Sequence, residues 1–152
     1  MAPDVVHLLN LMLAGILLGN ELSTLAVVHP AARSLPLPAQ VAMEKSLTKR
    51  YGLIMPVLMV ATVVSGVAVA VGADSDAQVL AIAGTACLAV MLGITFAGNM
   101  PVNVYTLRAG EEVDPQEWRA RRRTWERWHA LRVLLDAVAM ACFVLAVLVE
   151  SG

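Results

Sequence analysis

The sequence predicts an all-α fold: a bundle of four membrane-spanning helices with both termini on the extracytoplasmic side. Three observations carry this. The 152-residue chain is 59% hydrophobic and only 15% charged, with a mean hydropathy of +0.71, which leaves too little polar surface for a water-soluble domain. Tyr51–Ala73 and Ala77–Leu107 contain no charged residue, and each is long enough to cross a hydrocarbon layer of ~30 Å, which takes ~20 helical residues. The apolar runs also lack the alternation of barrel strands, so helices must satisfy the backbone in lipid.

Taken in order, span one covers about 5–29 and carries one charge after Asp4, Glu21. A basic n-region and a small-x-small cleavage site are both missing, so this stretch is expected to be a span rather than a signal peptide. HPAARSLPLPAQ follows, with three prolines, and is expected to be irregular. Residues 39–51 suit a helix that extends span two (51–73) inward. Asp74-Ser75-Asp76 makes a tight outer hairpin into span three, 77–107. GEEVDPQE is a polar turn in which Asp114-Pro115 marks a helix start. Span four covers 125–149. The whole chain, 1–152, forms one domain. Cys87 and Cys142 fall inside spans and suit buried thiols rather than a disulfide.

Charge gives the orientation. All eleven basic residues lie in the two longer connections or in the first turns of span four: Arg33, Lys45, Lys49, Arg50, Arg108, Arg119, Arg121, Arg122, Arg123, Arg127 and Arg132. The opposite side holds only Asp4, Asp74, Asp76 and Glu150. The positive-inside rule then places the basic loops in the cytoplasm, in a plasma membrane of bacterial type. A net charge of −1 hides this asymmetry. Trp118, Trp125 and Trp128 lie on the basic side, as interfacial anchors would. The expected partner is membrane lipid. No nucleic-acid module is present. Gly15 and Gly19 form a small-xxx-small pair, suited to packing within the bundle or between copies in a homo-oligomer.

Polar residues inside spans carry functional information. Glu21, Asn99, Arg132 and Asp136 fall at similar depth in the cytoplasmic half, with Asn103 and His129 nearer the interface. His129, Arg132 and Asp136 share a helix face, as do Asn99 and Asn103, and Asn10 and Glu21. Pro101 cannot donate to the Ala97 carbonyl, nor Pro56 to that of Gly52. FAGNMPVN (96–103) is therefore expected to form a wall of a polar cavity. A structural ion-pair network and interhelical amide bonding are the plainer uses of the same residues. No HxxxH, CxxC or HExxH occurs. If a metal or haem is bound, His29, His129 and Glu21 are the candidate ligands, and residue spacing leaves the cofactor unknown.

GNELSTLAVVHP, FAGNMPVN and TWERWHALR together resemble a family of small four-span membrane proteins, a domain-of-unknown-function family named after its anthrone oxygenase members. The likeness rests on Asn99, Pro101, Asn103, Trp125, His129 and Arg132, with His29-Pro30 after span one, and it runs over essentially the whole chain. The resemblance implies an oxygenase or oxidoreductase for a small hydrophobic hydroxyaromatic substrate, such as an anthrone or hydroquinone, in chemistry that requires no cofactor. It implies His129 as base and Arg132 as anion stabiliser. Asn99, Asn103, Glu21, Trp125 and Asp136 would bind or orient the substrate. Two other classes fit the interior charges: a haem- or metal-binding membrane redox protein, and a small proton-coupled transporter with Glu21 as proton carrier.

Overall fold

The computed structural model describes residues 2–110 and 112–151, and their regular structure is entirely helical. Helix α1 runs Ala2–Ser23, widens into a π turn at Thr24–Val28 and continues as His29–Arg33. Helix α2 is Leu37–Gly72. Helix α3 runs Ser75–Ile94, passes a π turn at Thr95–Asn99 and resumes as Met100–Arg108. Helix α4 is Pro115–Ser151. Four stretches are long and apolar enough to cross a membrane: Asp4–Arg33, Leu37–Gly72, Ser75–Arg108 and Pro115–Glu150.

The first connection is shorter than its three prolines imply. Pro30 sits in the first turn of a helical segment and Pro38 in the first turn of α2, where a missing N–H costs nothing. Only the stretch around Ser34–Pro36 breaks the helix. At the other basic connection, Asp114 caps α4 by accepting from the Gln116 and Glu117 N–H groups at 3.0 and 3.3 Å.

Both π turns lie just ahead of a proline. Pro30 and Pro101 cannot donate to the carbonyls four residues back. The wider turn changes the register there: the His29 N–H bonds the Thr24 carbonyl and the Met100 N–H bonds the Thr95 carbonyl. Pro56 has no such turn, and α2 continues through it.

The bundle centre is an apolar layer with two contributions from each helix: Ala14 and Leu17, Met55 and Met59, Leu88 and Met91, Ala139 and Phe143. Close approaches fall at glycines. A Cβ on Gly84 would lie 3.1 Å from both the Ala139 carbonyl oxygen and the Phe143 ring. Gly15 and Gly19 are not such points, since a Cβ on Gly15 would meet only Met140, at 4.0 Å, and one on Gly19 nothing within 4 Å. Cys87 and Cys142 are free and half-buried.

Gly98 is the tightest of these positions, because a Cβ there would sit 2.5 Å from Trp128 Cγ. Gly98→Ala is expected to destabilise the protein by about 1–3 kcal/mol through overpacking. Thermal melting in detergent measures this, and an unchanged melting temperature would mean that Trp128 swings aside.

The end of the bundle that carries the basic connections is tied by polar contacts. Arg33 pairs with Glu126 at 2.6 Å, and Lys45 Nζ donates to the Ala109 carbonyl at 2.5 Å. Of the three tryptophans expected as anchors, only Trp128 is exposed. Trp118 is fully buried and packs against Tyr105 at 6.2 Å, and Trp125 is built into the bundle interior.

Candidate functional site

Five side chains of α4 recur at helical spacing: Arg122, Trp125, His129, Arg132 and Asp136. Steps of three and four put them on one face, and all five are buried. This stripe meets polar residues from each of the other helices and forms two linked networks.

The deeper network centres on Glu21. Arg132 donates through Nη2 to Glu21 Oε1 and through Nη1 to Asn99 Oδ1 at 3.4 Å. Asn99 Nδ2 donates to the Trp125 carbonyl at 3.1 Å. Both nitrogens of His129 are turned to Glu21. Nε2 is 3.1 Å from its backbone carbonyl, and Nδ1 is 3.2 Å from Oε2. Asp136 lies one turn further in, fully buried, and neither of its oxygens has a hydrogen-bond partner in the structure.

The second network centres on Glu44, which sequence reasoning missed. Glu44 Oε1 lies 2.9 Å from His29 Nδ1, and Oε2 lies 3.1 Å from Arg122 Nη2. Arg122 also sits over the Trp125 ring at 4.7 Å. Both Glu44 and Arg122 are at most 4% exposed at the side chain. Each charge is thus desolvated and held by its counter-charge, which is how buried ions are tolerated.

Trp125 joins the two networks. Its ring stacks on His129 at 4.5 Å and meets His29 edge-on at 4.4 Å. Its Nε1–H donates to Asn103 Oδ1 at 2.8 Å. Thr24 donates to the Tyr51 hydroxyl at 3.2 Å.

These groups surround a cavity of about 250 Å³. Polar residues from both networks reach its lining, among them Glu21, His29, Glu44, Arg122, His129 and Arg132. The rest of the wall is mostly apolar, as in Met55, Met59 and Leu107. Four lining residues are also exposed on the molecular surface: Gly52 and Pro56 of α2, Met100 and Leu107 of α3. The mouth therefore lies between α2 and α3, on the flank of the bundle. Pro56 supplies no N–H to the Gly52 carbonyl, and both residues line that mouth.

The structure brings Glu21, Asn99, Asn103, Trp125, His129 and Arg132 into one connected cluster. Asn103 lines the cavity; Asn99 does not, and it reaches the cavity only through Arg132 and Trp125. Asp136 also stands behind the wall. Ala97 lies on the exposed outer face of α3, so its carbonyl is no part of the cavity. His29, His129 and Glu21 do not converge as a ligand set: no group of three or more His, Cys, Asp or Glu among the described residues is placed to hold a metal ion. The two imidazole centroids are 6.3 Å apart.

The missed residues left a signal. Glu44, Thr48, Tyr51 and Met55 are spaced four, three and four apart, which is one helix face. Arg122 is concealed in the run Arg121-Arg122-Arg123, although it continues the α4 stripe toward the N-terminus.

Comparison with curated proteins and with solved structures gives no match. A family model described as anthrone oxygenase matches residues 45–142, a stretch that holds the α4 stripe, both asparagines and the α2–α3 mouth. By that match over most of its length, the chain belongs to the anthrone oxygenase family.

Proposed function

We propose that the protein is an integral membrane oxygenase that oxidises a flat, hydrophobic hydroxyaromatic of the anthrone or hydroquinone kind, using dioxygen. The observation that carries this reading is the cavity itself: apolar walls, two buried arginine–carboxylate pairs, two imidazoles and a mouth on the flank of four apolar helices. Such a mouth suits a substrate that arrives dissolved in lipid. The one-sided basic loops favour a cytoplasmic location for the cavity end and an extracytoplasmic one for the termini.

The chemistry balances without further reactants. An anthrone carries an acidic ring methylene, and CH2 plus O2 gives C=O plus H2O. Removing one methylene proton leaves an electron-rich enolate, and its charge is what the site must stabilise. Arg132 and Arg122 present fixed positive charge in a desolvated space, where electrostatic stabilisation is strongest. Asn103 and Trp125 form a bonded wall that orients the flat ring, and the His129 ring stacked on Trp125 extends it. Glu21, at the lining, and Asn99, behind it, hold Arg132 in place.

The test uses purified protein in detergent, anthrone and a hydroquinone, with an oxygen electrode. Protein-dependent uptake of one O2 per quinone formed is the expected result. Asn103→Leu removes the acceptor of Trp125 Nε1 and should lower the rate at least about tenfold. No uptake by the unmodified protein with either substrate would overturn the oxygenase reading.

A further inference from the structure

His129 is the histidine that the family resemblance offers as a base, but its geometry does not suit that task. Its Nε2 faces the Glu21 backbone carbonyl, an acceptor, so that nitrogen carries the proton. Its Nδ1 is sealed from the cavity and lies beside the Glu21 carboxylate. Neither nitrogen is open to a substrate.

His29 is arranged differently. Glu44 Oε1 stands 2.9 Å from Nδ1. A carboxylate oxygen can only accept, and Arg122 Nη2, which stands 3.0 Å from the same Nδ1 and 3.1 Å from Glu44 Oε2, can only donate, so the two neighbours ask opposite tautomers of the ring. The shorter contact, to Glu44, places the proton on Nδ1 and the lone pair on Nε2, with Arg122 turned to Glu44 Oε2 as its ion-pair partner. Nε2 makes no hydrogen bond, is not among the buried unpartnered atoms, and belongs to a residue that lines the cavity. The ring plane is fixed by the edge-on contact with Trp125 at 4.4 Å. An imidazole oriented through one nitrogen by a buried carboxylate, with the other nitrogen free, has the geometry required of a general base.

We propose that His29 is the proton acceptor of this site, with Glu44 and Arg122 as the positioning residues that fix its tautomer and ring orientation. The assignment rests on the oxygenase reading above. A methylene C–H of the substrate breaks, its proton goes to His29 Nε2, and the electron pair stays on the ring as the enolate. Dioxygen accepts those electrons and a carbon–oxygen bond forms. The imidazolium then returns its proton to the terminal oxygen, giving a substrate hydroperoxide. Loss of the second methylene proton with O–O cleavage gives the carbonyl and water, and His29 ends neutral. The new positive charge on His29 is transient, and the enolate formed beside it offsets it. The neighbouring Glu44–Arg122 pair is already neutral as a unit.

The deciding experiment separates proton removal from oxygen chemistry. Anthrone is incubated anaerobically with the protein in deuterated buffer, and deuterium entry at the methylene is followed by mass spectrometry. The intact protein should accelerate exchange. His29→Gln should reduce that acceleration by about 10²–10⁴-fold, the usual weight of a general base, whereas His7→Gln, which lies away from the cavity and pairs with Glu150, should retain it. His29→Phe, which leaves the Glu44–Arg122 pair in place, guards against a folding artefact, with helicity and melting temperature as controls. Free imidazole should restore exchange in His29→Ala. Glu44→Gln should lower the exchange rate at saturation while leaving the anthrone concentration for half-saturation unchanged, a split that a general loss of structure would not give.

Exchange that survives in folded His29→Gln or His29→Phe would overturn the assignment while leaving the oxygenase reading intact. Neither exchange nor oxygen uptake in the unmodified protein would overturn both.

Discussion

Glu21→Leu should destabilise the protein by about 3–5 kcal/mol, the cost of leaving a buried charge without its counter-charge. Glu21 is 2% exposed and accepts from Arg132 Nη2, and the remaining polar contact of that guanidinium is the long 3.4 Å bond to Asn99. The loss should be largely recovered in Glu21→Leu/Arg132→Leu, because replacing a whole buried pair by apolar groups is often neutral. Denaturant unfolding in detergent measures all four members of the cycle. Additive losses in the double variant would mean that the two side chains do not depend on each other.

The second large effect is expected at the mouth. Gly52 lines the cavity, is exposed, and a Cβ there would meet nothing within 4 Å. Gly52→Trp therefore places a large ring across the gap between α2 and α3 without entering the packed core. The melting temperature should stay within a few degrees, while the rate with anthrone falls at least about tenfold, or 1.4 kcal/mol in barrier. Gly52→Ala should behave like the unmodified protein. A Gly52→Trp variant at full rate would show that the substrate enters by another route.

The fold was largely legible because its signals are strong and local. Uncharged runs of more than twenty residues admit few alternatives, and each expected span falls on an observed helix, apart from Ala73, which lies just past the end of α2. The loop errors have one cause. Three prolines in HPAARSLPLPAQ imply an irregular stretch, but Pro30 and Pro38 each stand in a first turn, where proline is compatible with the helix. The buried polar cluster was legible where a polar residue interrupts an apolar run, as at Glu21 and Asn99. It was illegible where polar residues are common. Glu44 and Arg122 stand among charged neighbours near the basic connections, and only burial against each other sets them apart. The roles of the two imidazoles were out of reach for a different reason. Sequence spacing places a ring on a face, but which nitrogen meets a carbonyl, a carboxylate or open space depends on partners 15 and 108 positions away.

The π turn at Thr95–Asn99 also bears on what kinds of genetic change the segment can absorb. In chain terms it is a one-residue insertion carried inside a helix. Excising a residue there would leave a plain α-helix that the backbone could accept, but everything beyond it would rotate by ~100° and retreat by ~1.5 Å. Asn103 would lose Trp125, and Met100 and Leu107 would leave the mouth. A substitution at the exposed Phe96 or Ala97 changes one outward side chain, whereas an in-frame deletion of the same codon resets the phase of the whole C-terminal part of α3. At Phe96 and Ala97 the chain can therefore drift in letters but not in length.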